Sequence, residues 1–94
     1  MPWDPGIERL LDRYPALRAV GNTPLVPVPL FHDALPAVEV LAKMESLNPG
    51  GSLKDRPVVR MLMAALADGR LAPGQTVLDS SSGNAGIAYA MVGR

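Results

Sequence analysis

The sequence contains no cysteine, which excludes disulfides and thiolate metal sites. Its single histidine, His32, cannot build a metal cluster alone, and no metal site is expected. Neither sign of charge is in excess, since nine basic residues face nine acidic ones. There is no basic stripe to attract nucleic acid and no acidic tail. No apolar run reaches the ~20 residues that span a bilayer. The opening Met1-Pro2-Trp3-Asp4-Pro5 lacks the basic segment and apolar stretch of a signal peptide. The expectation is a cytoplasmic protein with no nucleic-acid or membrane partner, and the missing cysteine is compatible with a reducing compartment. What is present is 94 residues, 48% of them hydrophobic. That composition suits a packed piece rather than a disordered tail. The length suits one small domain with a thin core of its own.

Residues 1–20 read as a helical arm. Asp4 can cap a helix with Pro5 at its first position. Ile7, Leu10, Leu11 and Tyr14 recur at helical spacing, and Pro15 ends the pattern. Trp3 and Tyr14 are expected to pack this arm. Gly21-Asn22-Thr23-Pro24 is a turn cluster. The prolines between Leu25 and Leu30 allow only an edge strand or an extended segment, and Phe31 to Pro36 reads as loop. Val38 to Met44 reads as a strand covered on both faces.

Glu45 to Ser52 is loop chemistry, with Ser52 a candidate N-cap. The spacing predicts a helix over Leu53–Asp68, with Pro57 tolerated in its first turn and Gly69 as the stop. Val58, Leu62, Ala65 and Leu66 share one face, and Met61 and Met63 widen it. Pro73-Gly74 is a turn, Thr76–Asp79 a short strand, Ser80–Gly83 a loop and Asn84–Val92 a second helix. Strand, helix, strand, helix is the rhythm of a parallel α/β layer fold. Only about two of the ~5–6 strands usual for such a sheet are present, so the fold is expected to be incomplete in this chain.

Three places could carry chemistry. Lys54 stands at a helix start, where a cation opposes the helix dipole. A lysine that attacks an aldehyde benefits from that position, because the helix end and apolar walls disfavour its ammonium form. The other reading is a solvated Lys-Asp-Arg turn. Asn48-Pro49-Gly50-Gly51-Ser52 could bring backbone close to a ligand, or it is an ordinary strand-to-helix turn. It is not a nucleotide P-loop, because Leu53 precedes the lysine and Asp55 follows it. Ser80 to Gly86 could present hydroxyls and helix-start amides to a carboxylate, or it is a capped helix with a serine-rich turn. Arg56 and Arg60, four apart, form a solvated face or pair with neighbouring acids.

Taken in order, Gly21-Asn22-Thr23-Pro24-Leu25, Asn48-Pro49-Gly50-Gly51-Ser52-Leu53-Lys54-Asp55-Arg56 and Ser81-Ser82-Gly83-Asn84-Ala85-Gly86 resemble the fold-type II pyridoxal-phosphate (PLP) enzymes. The branch is that of cysteine synthase and cystathionine β-synthase. Ala42-Lys43-Met44-Glu45 and Gly69-Arg70-Leu71-Ala72-Pro73-Gly74 fit the same pattern, so the resemblance covers residues 21–94. It implies a three-layer αβα fold with a mainly parallel sheet, present here as its amino-terminal portion.

The resemblance also implies site residues. Lys54 matches the lysine that forms the Schiff base with PLP, and Asn84 the asparagine that hydrogen-bonds the cofactor's 3′ oxygen. Ser81, Ser82 and Gly83 match the loop that grips the substrate carboxylate. Ala85 stands where the family usually has a threonine that helps bind that carboxylate, which puts the substrate in question. The implied reaction is a β-replacement: Lys54 removes the α-proton of an activated serine, the β-substituent leaves, and a sulfur nucleophile adds. The partner is then a small amino-acid substrate, and full-length relatives are expected to be homodimers. In relatives the glycine-rich phosphate loop and the hydroxyl facing the pyridine nitrogen lie beyond residue 94, so this chain alone is expected to bind PLP weakly. A serine or threonine dehydratase of the same fold and a non-catalytic truncated product are the alternatives.

Overall fold

The computed structural model describes residues 3–94. Met1 and Pro2, which begin the expected arm and the stretch read as lacking a signal peptide, lie outside the described residues. Helix α1 spans Pro5–Arg13. The Asp4 carboxylate accepts hydrogen bonds from the Gly6 and Ile7 amides, both at 3.0 Å. This satisfies two of the donors that a helix start leaves free. Ile7 and Leu11, one turn apart, are its buried residues. A 3-10 turn over Pro15–Ala19 follows. Trp3 packs against the core, as expected of the arm, and the Arg60 guanidinium lies 5.2 Å from its ring centre. Tyr14 departs from expectation: its backbone N–H closes α1, but the residue is exposed.

Strands β1 (Leu25–Pro27) and β2 (Leu41–Lys43) form a two-stranded antiparallel ribbon, with Val26 opposite Ala42. Two expectations fail here. The Val38–Met44 strand is reduced to three residues and its faces are open, with Val38 and Leu41 both exposed. Thr76–Asp79 forms no strand at all. The physical reason is shared. A strand in a parallel sheet is stabilised by neighbours on both edges and by layers on both faces, and the described residues provide neither. The three-layer, mainly parallel arrangement is therefore absent from residues 3–94, whose one sheet is antiparallel.

Helix α2 spans Asp55–Asp68 and buries Val58, Val59, Leu62 and Met63. Met61 stays exposed. Lys54, not Ser52, is the N-cap residue. Ser52 acts one step earlier, its hydroxyl accepting from the Lys54 N–H at 3.2 Å. Gly69 ends the helix at φ 83°, a left-handed conformation that a side chain disfavours. Helix α3 spans Asn84–Gly93 and buries Ala88. The three helices share one core of Ile7, Leu11, Val58, Val59, Leu62, Met63 and Ala88.

The ribbon and the helices do not close into one compact body. The Cα radius of gyration is 16.7 Å, against about 12 Å for a compact domain of this length. Among the described residues no helix is long and apolar enough to cross a membrane.

Candidate functional site

The chain entering α2 is held by a polar network that joins the ribbon to the helix. Arg56, in the first turn of α2, meets Glu45 through two parallel bonds, Nε to Oε2 at 2.8 Å and Nη2 to Oε1 at 2.7 Å. This bidentate fork is the strong form of the pair. The Thr23 hydroxyl donates to Glu45 Oε1 at 2.7 Å, and the Asn48 amide donates to Glu45 Oε2 at 2.6 Å. Asn48 is buried. Its amide nitrogen also reaches the Ser52 carbonyl at 3.0 Å, and its oxygen accepts from the Gly21 N–H at 2.8 Å. Lys43 Nζ donates to the Thr23 carbonyl. The bond from Arg56, then those from Thr23 and Asn48, hold the Glu45 carboxyl down at about 2, well below the usual carboxylate range.

Within this frame the Asn48–Ser52 loop turns into α2, and Lys54 stands at the junction, exposed. Its amine makes no hydrogen bond or ion pair among the described residues. The neighbouring Asp55 is fully buried.

The second segment is tied together by one hydroxyl. Ser81 Oγ accepts from the Gly83 N–H at 3.1 Å and from the Gly86 N–H at 2.8 Å. Ser81 thus caps α3 from three residues before its start, and no side chain of the N-cap residue Gly83 could do so. Ser82, Gly83 and Asn84 are exposed, and Ala85 is half-buried. The structure brings Ser81, Gly83, Asn84, Ala85 and Gly86 into one helix-start turn. It forms no hydrogen bond between that turn and Lys54. Tyr89 donates to Asp79 at 2.7 Å, which ties α3 back to the 76–79 segment and pushes the Tyr89 hydroxyl up from its ordinary range.

A cavity of about 810 Å³ lies elsewhere. It is lined by apolar groups including Leu17, Leu62, Leu66, Val77 and Met91, and by none of Lys54, Ser81, Ser82, Gly83, Asn84 or Ala85. Arg13, Gln75, Tyr89 and Arg94 also line it. Among the described residues no group of three or more His, Asp or Glu could hold a metal.

Reading the sequence did not single out Thr23, Glu45, Asn48 or Asp55 as parts of one frame. The available signal was an acid and a base flanking a glycine-rich loop, Glu45 and Arg56. Spacing alone left the partner of Arg56 open.

The family of pyridoxal-phosphate dependent enzymes matches residues 16–94, and the chain belongs to it. Over 79 residues it is 54% identical to the cysteine synthase of Aquifex aeolicus (strain VF5), a match covering 82% of this chain and 24% of that protein. It is 51% identical over 75 residues to an N-(2-amino-2-carboxyethyl)-L-glutamate synthase of Ralstonia nicotianae, covering 80% of this chain and 22% of that one. The solved structure of an O-ureido-L-serine synthase superposes with a TM-score of 0.75 at 44% identity, covering 82% of this chain and 24% of that chain. The chain thus spans about a quarter of the length of the relatives it matches.

The residues present fit the reactive end of this family's cofactor. Lys54 offers an exposed primary amine at the end of the Gly50-Gly51 turn. The space beside that turn and beside the start of α3 is open: apart from the adjoining residues, no heavy atom lies within 4 Å of where a Cβ on Gly51 or on Gly83 would stand.

Proposed function

We infer that this chain belongs to an enzyme that performs a PLP-dependent β-replacement on an activated serine, forming cysteine or a related amino acid. The observation that carries this reading is an exposed amine at position 54, at the start of a helix held by a built frame, in a chain whose residues 16–94 match the family. The names of the relatives support it further. Cysteine, N-(2-amino-2-carboxyethyl)-L-glutamate and O-ureido-L-serine all contain one 2-amino-2-carboxyethyl unit, joined at its β-carbon to sulfur, nitrogen or oxygen. A common unit with a changing nucleophile is what β-replacement produces. Elimination would not leave that unit intact, so the dehydratase reading is the weaker one.

When bound, PLP withdraws electrons from the α-carbon of an attached amino acid. The roles of this chain's residues follow from their placement. Lys54 Nζ would hold the cofactor between turnovers and, once displaced, take the α-proton. The Asn84 amide would orient the cofactor ring through its 3′ oxygen. Ser81 uses both lone pairs on the Gly83 and Gly86 amides, which leaves its O–H hydrogen to donate to a substrate carboxylate. Ser82 adds a second hydroxyl. The N–H groups at the start of α3 complete an anion-binding turn in which Gly83 lets the backbone approach closely. Ala85 has no hydroxyl to add, so the carboxylate is held by fewer donors than a threonine there would give.

The test is a pair of assays on the full-length protein with an activated serine and PLP. Sulfide-dependent formation of cysteine without release of pyruvate is the expected result. Pyruvate release that does not respond to sulfide would instead mean an eliminase.

A further inference from the structure

Asp55 is the buried ionisable residue that the proposed chemistry does not use. It is 0% exposed, in the first turn of α2. One carboxylate oxygen, Oδ2, accepts from the Gly50 N–H. The other, Oδ1, has no partner among the described residues. A buried polar atom left unpaired costs stability, and a helix start offsets only part of that for an acid. The fit is also tight. A Cβ on Gly50 would land on the Asp55 carboxylate, so glycine at 50 and aspartate at 55 are interlocked.

The consequence falls on the preceding residue, Lys54. Neighbours on a helix point about 100° apart. With Asp55 inserted beneath the Gly50 turn, the rotation of the helix start is fixed and Lys54 is turned outward. Other bonds act at this junction: the Ser52 hydroxyl accepts from the Lys54 N–H at 3.2 Å, the Asn48 amide donates to the Ser52 carbonyl at 3.0 Å, and the Arg56 fork on Glu45 holds the first turn of α2. The bond from the Gly50 N–H to Asp55 is the one that ties the glycine turn itself to the helix.

The geometry points to Asp55 as a positioning residue for Lys54. It acts through its bond to the Gly50 amide, which holds the loop against the helix so that the amine faces an incoming aldehyde. This rests on the reading of Lys54 as the cofactor lysine.

The chain has two lysines, Lys43 and Lys54, so Lys43 serves as an internal control. The experiment treats the full chain with pyridoxal 5′-phosphate, reduces with borohydride, and measures the label on each lysine by peptide mass mapping. Helix content and thermal midpoint are recorded alongside. The unsubstituted chain should label Lys54 in preference to Lys43. Asp55→Asn keeps an acceptor for the Gly50 N–H and should preserve the Lys54-to-Lys43 ratio. Asp55→Ala should lower it by up to about 100-fold, the scale of a misplacement of a reacting group by about 1 Å. Where Asp55→Ala does not fold, Asp55→Glu is read in its place. Its extra methylene drives the carboxylate into Gly50, and the ratio should fall. An unchanged ratio in a folded Asp55→Ala or Asp55→Glu would overturn the positioning role, as would equal loss of label from both lysines. Equal labelling of both lysines in the unsubstituted chain would overturn the reading of Lys54 itself, and this inference with it.

Discussion

Glu45 and Arg56 are the residues on which the ribbon, the loop and α2 converge. Glu45 takes bonds from Arg56, Thr23 and Asn48 together. Its carboxyl is held at about 2, below its ordinary 4.5. A carboxyl lowered on folding adds stability above its unfolded value and loses that contribution as pH falls through the folded value. The Glu45 contribution is therefore complete above pH 4.5 and fades between 4.5 and about 2. Asp68, lowered by the Arg70 backbone N–H and side chain, works in the same direction. Thermal midpoints measured against pH should fall across this window, and Glu45→Gln should flatten the fall. Arg56→Lys should behave like a loss rather than a conservative change, because an ammonium cannot make the two parallel bonds of the fork. A midpoint drop in Arg56→Lys close to that in Arg56→Ala is the expected result.

At the scale of elements, the helices were legible and the sheet was not. The cap at Asp4, the stop at Gly69 and the start of α3 at Asn84 all lie where side-chain chemistry and backbone freedom put them, because capping is a local event. The start of α2 was misplaced by two residues, since Ser52 bonds to the turn before the helix and not to the helix. The strands failed for a different reason. Val38–Met44 and Thr76–Asp79 have strand composition, but strand formation depends on neighbours, and Leu78 stands 94% exposed with none. The candidate site divides the same way. Motif order pointed to Lys54 and the Ser81–Asn84 turn as candidates, whereas the frame around Glu45 is joined by bonds that reach across 11 to 27 residues, which spacing does not reveal. The helical core carries its own prediction. Leu11 is fully buried where α1 packs on α2, so Leu11→Ala should destabilise the fold by about 2–5 kcal/mol. Denaturant titration followed by circular dichroism measures this.

As a whole molecule, the chain leaves several large apolar side chains exposed. Leu30 is 82% and Leu47 63% exposed, and the longest dimension is 54 Å. Scattered exposed apolar residues are ordinary, but contiguous ones mark surfaces that are covered in use. These 94 residues by themselves should bind an apolar fluorescent dye strongly and self-associate as concentration rises, which dye fluorescence and sedimentation would register. Weak dye binding by a monodisperse monomer would mean that the ribbon folds back onto the helices in solution.

The most direct measurement is the site of covalent attachment. The chain is mixed with pyridoxal 5′-phosphate, reduced with borohydride and weighed intact, beside Lys54→Arg. One predominant pyridoxyl group is expected on the unsubstituted chain, and most of that adduct should be lost in Lys54→Arg. The same adduct on both proteins would place the reactive amine elsewhere and contradict the assignment to Lys54.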